Sequence, residues 1–320
     1  MRIQTEKKIT EIRIGDYFSR FFMNGWHLDP NQCLPVEYVD AEQFLKPERL
    51  DLACKLFYIE CREKGQRQKL AKKLYTEHIR AFTQGTFTEP GTESKDSIYR
   101  YLECFDALID DIREHGVDAG KSVIPVGEDN GILDGSHRVA IAMYYHQKVP
   151  IVRLPQIRKV YDYVFFQGRG IQAEALRYMA YLYLIYDRHS YVACLWPKAR
   201  ERGKRKLCEQ LLHRQSGIVY QERKRVSYQK FFQWMLGLYG GQAWVGSREE
   251  GYPGLAKKAK ACYFRGGSTG IYILTGGTLE EMTALKKEIR QVFGIGNHSI
   301  HMTDTKAEAV DAGRQLLFSK

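Results

Sequence analysis

No apolar run in the sequence approaches the roughly 18 residues a membrane-spanning helix needs. The richest stretch, LRYMAYLYLIY at 176–186, is too short for that and reads as a buried helix. The opening MRIQTEKKITEIRIGDYF lacks the uninterrupted apolar core of a secretory signal, so a cytoplasmic location is expected. Seven cysteines stand at positions 33, 54, 61, 104, 194, 208 and 262, an odd number and never spaced Cys-x-x-Cys. That scatter argues against a disulfide framework or a zinc site and for free thiols in a reducing compartment. There is no internal repeat and no low-complexity linker. RGGSTG (265–270) lacks the Lys-Ser/Thr of a phosphate loop and reads as a hairpin connection. GSREEGYPG (246–254) opens like a nucleotidyltransferase Gly-Ser motif, but no Asp-x-Asp pair follows it.

Length allows one large domain or two of about 150 residues, each able to bury a core. The formal charge of +11 is uneven. Residues 1–160 hold 24 Lys/Arg against 24 Asp/Glu, and residues 161–320 hold 25 against 14, so the second half carries the whole excess. Within it, 198–230 has 11 basic and 3 acidic residues. Such a patch suits nucleic acid, an anionic surface or phosphorylated small molecules, or is simply a solvated face.

The periodicity divides the chain into a lead (1–33), an α/β domain (34–160), a helical connector (161–189) and a basic α/β domain (190–320). In the first domain, 35–45 suggests a strand entering a loop. A long helical region follows, with Leu52, Leu56, Ile59, Leu70, Leu74 and Ile79 on one face. Ser97 caps a helix over 98–116 that closes at Gly116. Strand, turn and strand follow through 123–133, then a helix from 136 and a strand over 149–155. In the second half, 190–197, 217–227, 260–264, 270–277 and 298–304 read as strands. Helices are expected over 171–187, 228–240, 278–294 and 306–318, with Thr278 and Glu281 forming a capping box. Alternating strands and helices give an α/β or α+β fold.

The chemistry concentrates in ILDGSHRVAIAMYYHQKVPIVRL (132–154). A helix that begins at Gly135-Ser136 presents unpaired N–H groups and the positive end of its dipole, which together favour an anion. Gly135 lets a phosphate approach the backbone. Ser136 caps the helix or donates to a phosphate oxygen, and His137 and Arg138 add donors, the guanidinium as a fork. Asp134 can hold Mg²⁺, orient Arg138 or brace the turn.

This segment resembles the nucleotide-binding segment of the ParB/sulfiredoxin superfamily, whose members place a Gly-x-x-Arg or Gly-x-His-Arg helix start between two such strands. The resemblance spans the elements from about 34 to 155. Sulfiredoxins carry a catalytic cysteine immediately before His-Arg; Ser136 stands there, which excludes that chemistry. ParB proteins follow the domain with a helix-turn-helix DNA reader, which 161–190 does not offer. The free serine kinases of the superfamily use the same site for phosphoryl transfer, with a glutamate base in the loop after the first strand. In LKPERLD that place falls to Glu48. The resemblance thus implies a nucleotide-binding kinase using ATP (or another nucleotide) and Mg²⁺, acting on a small hydroxyl compound. Asp134 through Arg138 would hold the phosphates and Glu48 would be the base. The charged loop FTEPGTESKDS adds Glu89, Glu93, Lys95 and Asp96, either closing over substrate or forming an exposed polar turn.

In the second half, Arg290, His301 and Asp304 are candidates for a crevice at a strand end, the alternative for Asp304 being a brace beside a Thr303 or Thr305 cap. ACLWP, YGGQAWVG, KKEIR and HSIHMTDT are together similar to a C-terminal module of bacterial surface-polysaccharide gene products with a ParB-like N-terminal part. That resemblance implies a role in polysaccharide biosynthesis. From another class comes a ParB-like, nucleotide-gated nucleic-acid binder using the 198–230 patch.

Overall fold

A computed structural model describes residues 9–89 and 95–319. It shows a mixed helix-and-strand architecture in two units, 1–179 and 180–320. The division falls inside the segment expected as a connector.

The first unit contains β1 (Glu11–Arg13), α1 (Ile14–Tyr17), α2 (Arg20–Gly25), β2 (Cys33–Pro35), β3 (Glu37–Asp40), α3 (Asp51–Glu63), α4 (Gln68–Phe82), α5 (Ile98–His115), β4 (Ile124–Val126), α6 (Ser136–Tyr144), β5 (Lys148–Arg153) and α7 (Tyr163–Gly168). Helix α8 (Ala173–Tyr186) spans the division. Strand β5 is central, antiparallel to β3 and parallel to β4, with Tyr38 opposite Pro150 and Ile124 opposite Ile151. The parallel β4–β5 pair is joined through α6, a crossover arrangement that puts a helix against the sheet.

The expected long helix is two, α3 and α4, because Gly65 and Arg67 take left-handed backbone conformations between them. Of the expected apolar face, Leu52, Leu56, Ile59, Leu74 and Ile79 are buried, and Leu70 is half-buried. Ser97 accepts from the Arg100 N–H at the start of α5, and Gly116 ends it at φ +73°. The second expected strand at 132–133 is only a bridge between Ile132 and Val126. The lead is no appendage: β1 pairs with β2, and Ile12, Ile14, Phe18 and Met23 share a cluster with Val123, Val152, Leu154 and Ile157. At about 1.5–3 kcal/mol for each large apolar side chain taken from water, that contact belongs to the unit's stability.

The second unit contains β6 (Ser190–Leu195), α9 (Arg202–Gln215), β7 (Gly217–Lys224), α10 (Tyr228–Tyr239), α11 (Pro253–Cys262), β8 (Thr269–Thr275), α12 (Leu279–Phe293), β9 (Ile300–Met302) and α13 (Lys306–Phe318). Its strands form one antiparallel sheet in the order β7-β8-β6-β9. The Thr278–Glu281 capping box is present in full. Residues 260–264 are not a strand: 260–262 complete α11 and Tyr263 caps its end, while Pro253 occupies the first turn and Leu255, Ala259 and Cys262 are buried at helical spacing. RGGSTG therefore links a helix to a strand and is no hairpin. Among the described residues no helix is long and apolar enough to cross a membrane.

Candidate functional site

The start of α6 is built around Gly135. Its φ of +82° lies in the left-handed region, and a Cβ there would come within 2.6 Å of Ile124 Cδ1 and 2.8 Å of Arg138 Nη2. Only glycine gives this backbone that conformation without strain. Gly135 is the N-cap residue and no side chain caps the helix, so Ser136 begins the first turn and does not cap it. Asp134 Oδ1 accepts from the Gly135 N–H at 2.7 Å, and its Oδ2 lies 3.8 Å from Arg138 Nη2. The Asp134 carboxylate thus braces the turn and faces the guanidinium while remaining half exposed.

Other charges gather on the same spot. Burial pushes the Arg138 guanidinium down in pKa, and Asp134 and Glu89 oppose that push. Lys159 is lowered by burial and by Arg49, against the pull of Asp134. Its ammonium lies 5.3 Å from the centre of the Tyr161 ring and 5.9 Å from that of Trp26. Glu89 and Lys95 are ion-paired at 2.5 Å, and the Glu89 N–H donates to the Lys95 carbonyl. These two residues pin the ends of the charged loop together; Glu93 lies outside the described residues. Asp96 is exposed.

His137 faces inward. Its Nε2 is 2.8 Å from the Tyr75 hydroxyl, and its ring meets the Phe105 ring edge-on at 4.7 Å. Burial, with Lys55 and Lys95 nearby, holds its pKa well below the usual histidine value. The imidazole is therefore neutral and brings no positive charge of its own to the start of α6.

Glu48 is half-buried. Its carbonyl accepts from the Tyr161 N–H at 2.7 Å. The segment holding it is tied to the loop before α6. Lys46 Nζ donates to the Asp129 carbonyl at 2.7 Å, and Arg49 Nη1 to the Ile132 carbonyl at 2.5 Å.

Beneath this loop lies a charged group that sequence reasoning missed. Arg49 grips Asp51 with two bonds of 2.8 and 2.7 Å, Lys55 reaches Asp51 Oδ2 at 2.5 Å, and Lys55 Nζ is 3.5 Å from His78 Nε2. All four residues are buried. Burial alone would raise the Asp51 carboxyl, but Arg49 and Lys55 overcome it and hold it well below the usual range. Burial, with Lys55 beside it, takes His78 down to about 3. The signal was available: Asp51 and Lys55, four apart, share a helix with Leu52, Leu56 and Ile59 and leave no polar face for them to occupy.

Among the described residues no cluster of three His, Cys, Asp or Glu is placed to hold a metal. A cavity of about 140 Å³ in the first unit is lined by Tyr58, Arg62, Gln68 and Asp106, none of them an expected site residue.

In the second unit, His301 Nδ1 lies 2.9 Å from the Tyr239 hydroxyl, and Asp304 is bound to Lys286 at 2.7 Å. Arg290 keeps a buried Nε that has no hydrogen-bond partner among the described residues. Thr305, not Thr303, caps α13; the Thr303 hydroxyl accepts from the Val192 N–H. The basic patch is partly committed elsewhere. Arg205 is buried and donates to the carbonyls of Trp196, Ala199 and Ser268. Lys224 donates to the carbonyls of Leu316 and Leu317, and Arg223 pairs with Glu209 at 2.6 Å.

Set against models of known protein families, curated proteins and solved structures, the chain matches none.

Proposed function

We propose that the first unit binds the phosphates of a nucleotide at the start of α6 and that the chain is a small-molecule kinase. One observation carries this reading: an uncapped helix start at a left-handed Gly135, flanked by Arg138, Lys159 and Asp134. Among the described residues no carboxylate lies within ion-pair distance of Lys159, which leaves its charge for a ligand. The arrangement neutralises charge and positions a phosphoryl group, which is most of what such a transfer asks of a protein.

In the transfer, the acceptor hydroxyl oxygen bonds to the terminal phosphorus as the bond to the bridging oxygen breaks, and the proton passes to a carboxylate. Glu48 takes that last role in this reading. Its support is the pair of bonds from Lys46 and Arg49 that hold its segment to 129–132. Magnesium, held by the nucleotide phosphates with Asp134 as the one protein carboxylate, would neutralise the developing charge. A lone half-exposed carboxylate suits a metal that arrives on its nucleotide. A place in surface-polysaccharide synthesis belongs to the same proposal.

The test is turnover. The protein is incubated with ATP, Mg²⁺ and a bacterial small-metabolite extract, and phosphorus is followed by NMR beside an Arg138→Gln control. A new phosphoester signal that the control lacks supports a kinase. Silence with ATP, CTP and GTP alike overturns it. Salt-sensitive binding of duplex DNA would then favour the nucleic-acid reading.

A further inference from the structure

We infer that the second unit holds a binding site for a phosphate-type oxyanion, formed by Trp196, Lys258, Arg290 and His301. Four elements supply it: the turn after β6, α11, the last turn of α12, and β9 at the sheet edge. The ladder sets the first two members. Cys194 on β6 stands opposite His301 on β9, and the Trp196 N–H donates to the Ser299 carbonyl at 2.8 Å. The Trp196 and His301 rings consequently lie nearly parallel, at 24° with centres 6.2 Å apart.

The donors are what call for an occupant. Trp196 is wholly buried, yet among the described residues its indole Nε1 has no hydrogen-bond partner, and the buried Nε of Arg290 has none either. A donor taken from water and left unmatched is costly, and native folds rarely keep one without a reason. Lys258 stands over the faces of Tyr239 and Trp244, at 5.3 and 6.0 Å from their centres. Its only hydrogen bond among the described residues is a 3.3 Å contact with the Asn297 carbonyl. His301 has its Nδ1 taken by the Tyr239 hydroxyl. With Tyr239 donating, the ring proton sits on Nε2 and adds a further donor.

Charge selects the ligand's sign. The charged groups acting on His301 are Lys286, Asp304, Lys258 and Arg290, and the one carboxylate among them is paired with Lys286. Among the described residues, Lys258 and Arg290 remain without a carboxylate of their own. Burial, then Lys286 with smaller help from Lys258 and Arg290, takes His301 down to about 4, so the imidazole stays a neutral donor. Buried N–H donors and uncompensated cations from four elements suit a tetrahedral oxyanion, either free phosphate or the phosphoryl group of a small molecule. The inference stands on residues separate from those of α6 and does not depend on the kinase reading.

The indole N–H of Trp196 is the reporter. Full-length protein labelled with ¹⁵N is titrated with inorganic phosphate, then with glucose 6-phosphate, and with acetate at matched ionic strength as a control. The Trp196 signal is assigned by its loss in Trp196→Phe. It is expected to move with phosphate or the sugar phosphate, saturably, and not with acetate; which of the two binds tighter identifies the source. Lys258→Gln and Arg290→Gln should each weaken that response tenfold or more. The indole signals of Trp26, Trp234 and Trp244 report whether each variant is folded, and Arg138→Gln should leave the response unchanged. A Trp196 signal that stays put with both phosphates, moves equally with acetate, or responds unchanged in both folded variants overturns the site.

Discussion

The Tyr75 hydroxyl lies 2.8 Å from His137 Nε2, and this contact ties the first turn of α6 to the helical core beneath it. Both groups are largely removed from water, so each needs the other. Tyr75→Phe should lower stability by about 1–3 kcal/mol, the cost of leaving one buried polar atom unmatched. Urea unfolding of the variant measures the loss. An unchanged midpoint would mean that His137 turns elsewhere.

Asp51 is the hinge of the buried charges. Asp51→Asn leaves Arg49 and Lys55 facing each other without compensation, and should cost about 3–5 kcal/mol. Replacing all three with apolar residues of similar size should cost less than the single change, since the desolvation of three charges disappears with them. Thermal unfolding of the two variants decides the order.

Acid should loosen the first unit before its carboxylates titrate. His78 has a folded pKa of about 3 and an ordinary unfolded one near 6.5, so the unfolded chain binds a proton the folded chain refuses. Stability is unaffected above pH 6.5 and falls below it, by about 1.4 kcal/mol per pH unit for this one group. Lys55, Arg49 and Asp51 surround it; the two cations reinforce the shift and Asp51 opposes it. Unfolding midpoints measured between pH 7 and 4.5 should decline, and less steeply in His78→Asn. Equal slopes would refute the assignment.

Gly135→Ala should damage the helix start itself. The added Cβ meets Ile124 and Arg138, and a non-glycine residue held at φ +82° costs about 1–3 kcal/mol. Nucleotide binding should fall with stability. Gly65→Ala, where a Cβ meets nothing within 4 Å, is the matched control for a left-handed glycine away from the site.

Local signals were legible where a residue and its partner lie three or four apart. Ser97 with Arg100, and Thr278 with Glu281, are such cases, and both caps form as the sequence suggests. KACYF misled because a short apolar run fits strand and buried helix alike, and Pro253, the sign of a helix start, stands seven residues before it. Helix α9 was hidden in the basic patch, where charge was weighed and period was not. His137 could not be oriented from its motif, because Tyr75, which decides which way its ring turns, stands 62 positions away. The same distance effect concealed Lys159, whose place near Asp134 depends on the path of the chain after β5.

Equilibrium binding of ATP with Mg²⁺ to the wild type, Arg138→Gln and Glu48→Gln tests the central claim most directly. The expected result is measurable affinity in the wild type, a loss of tenfold or more in Arg138→Gln, and near-normal affinity in Glu48→Gln, which then fails to turn over. Equal affinity in wild type and a folded Arg138→Gln would contradict a phosphate site at the start of α6, and with it the kinase reading.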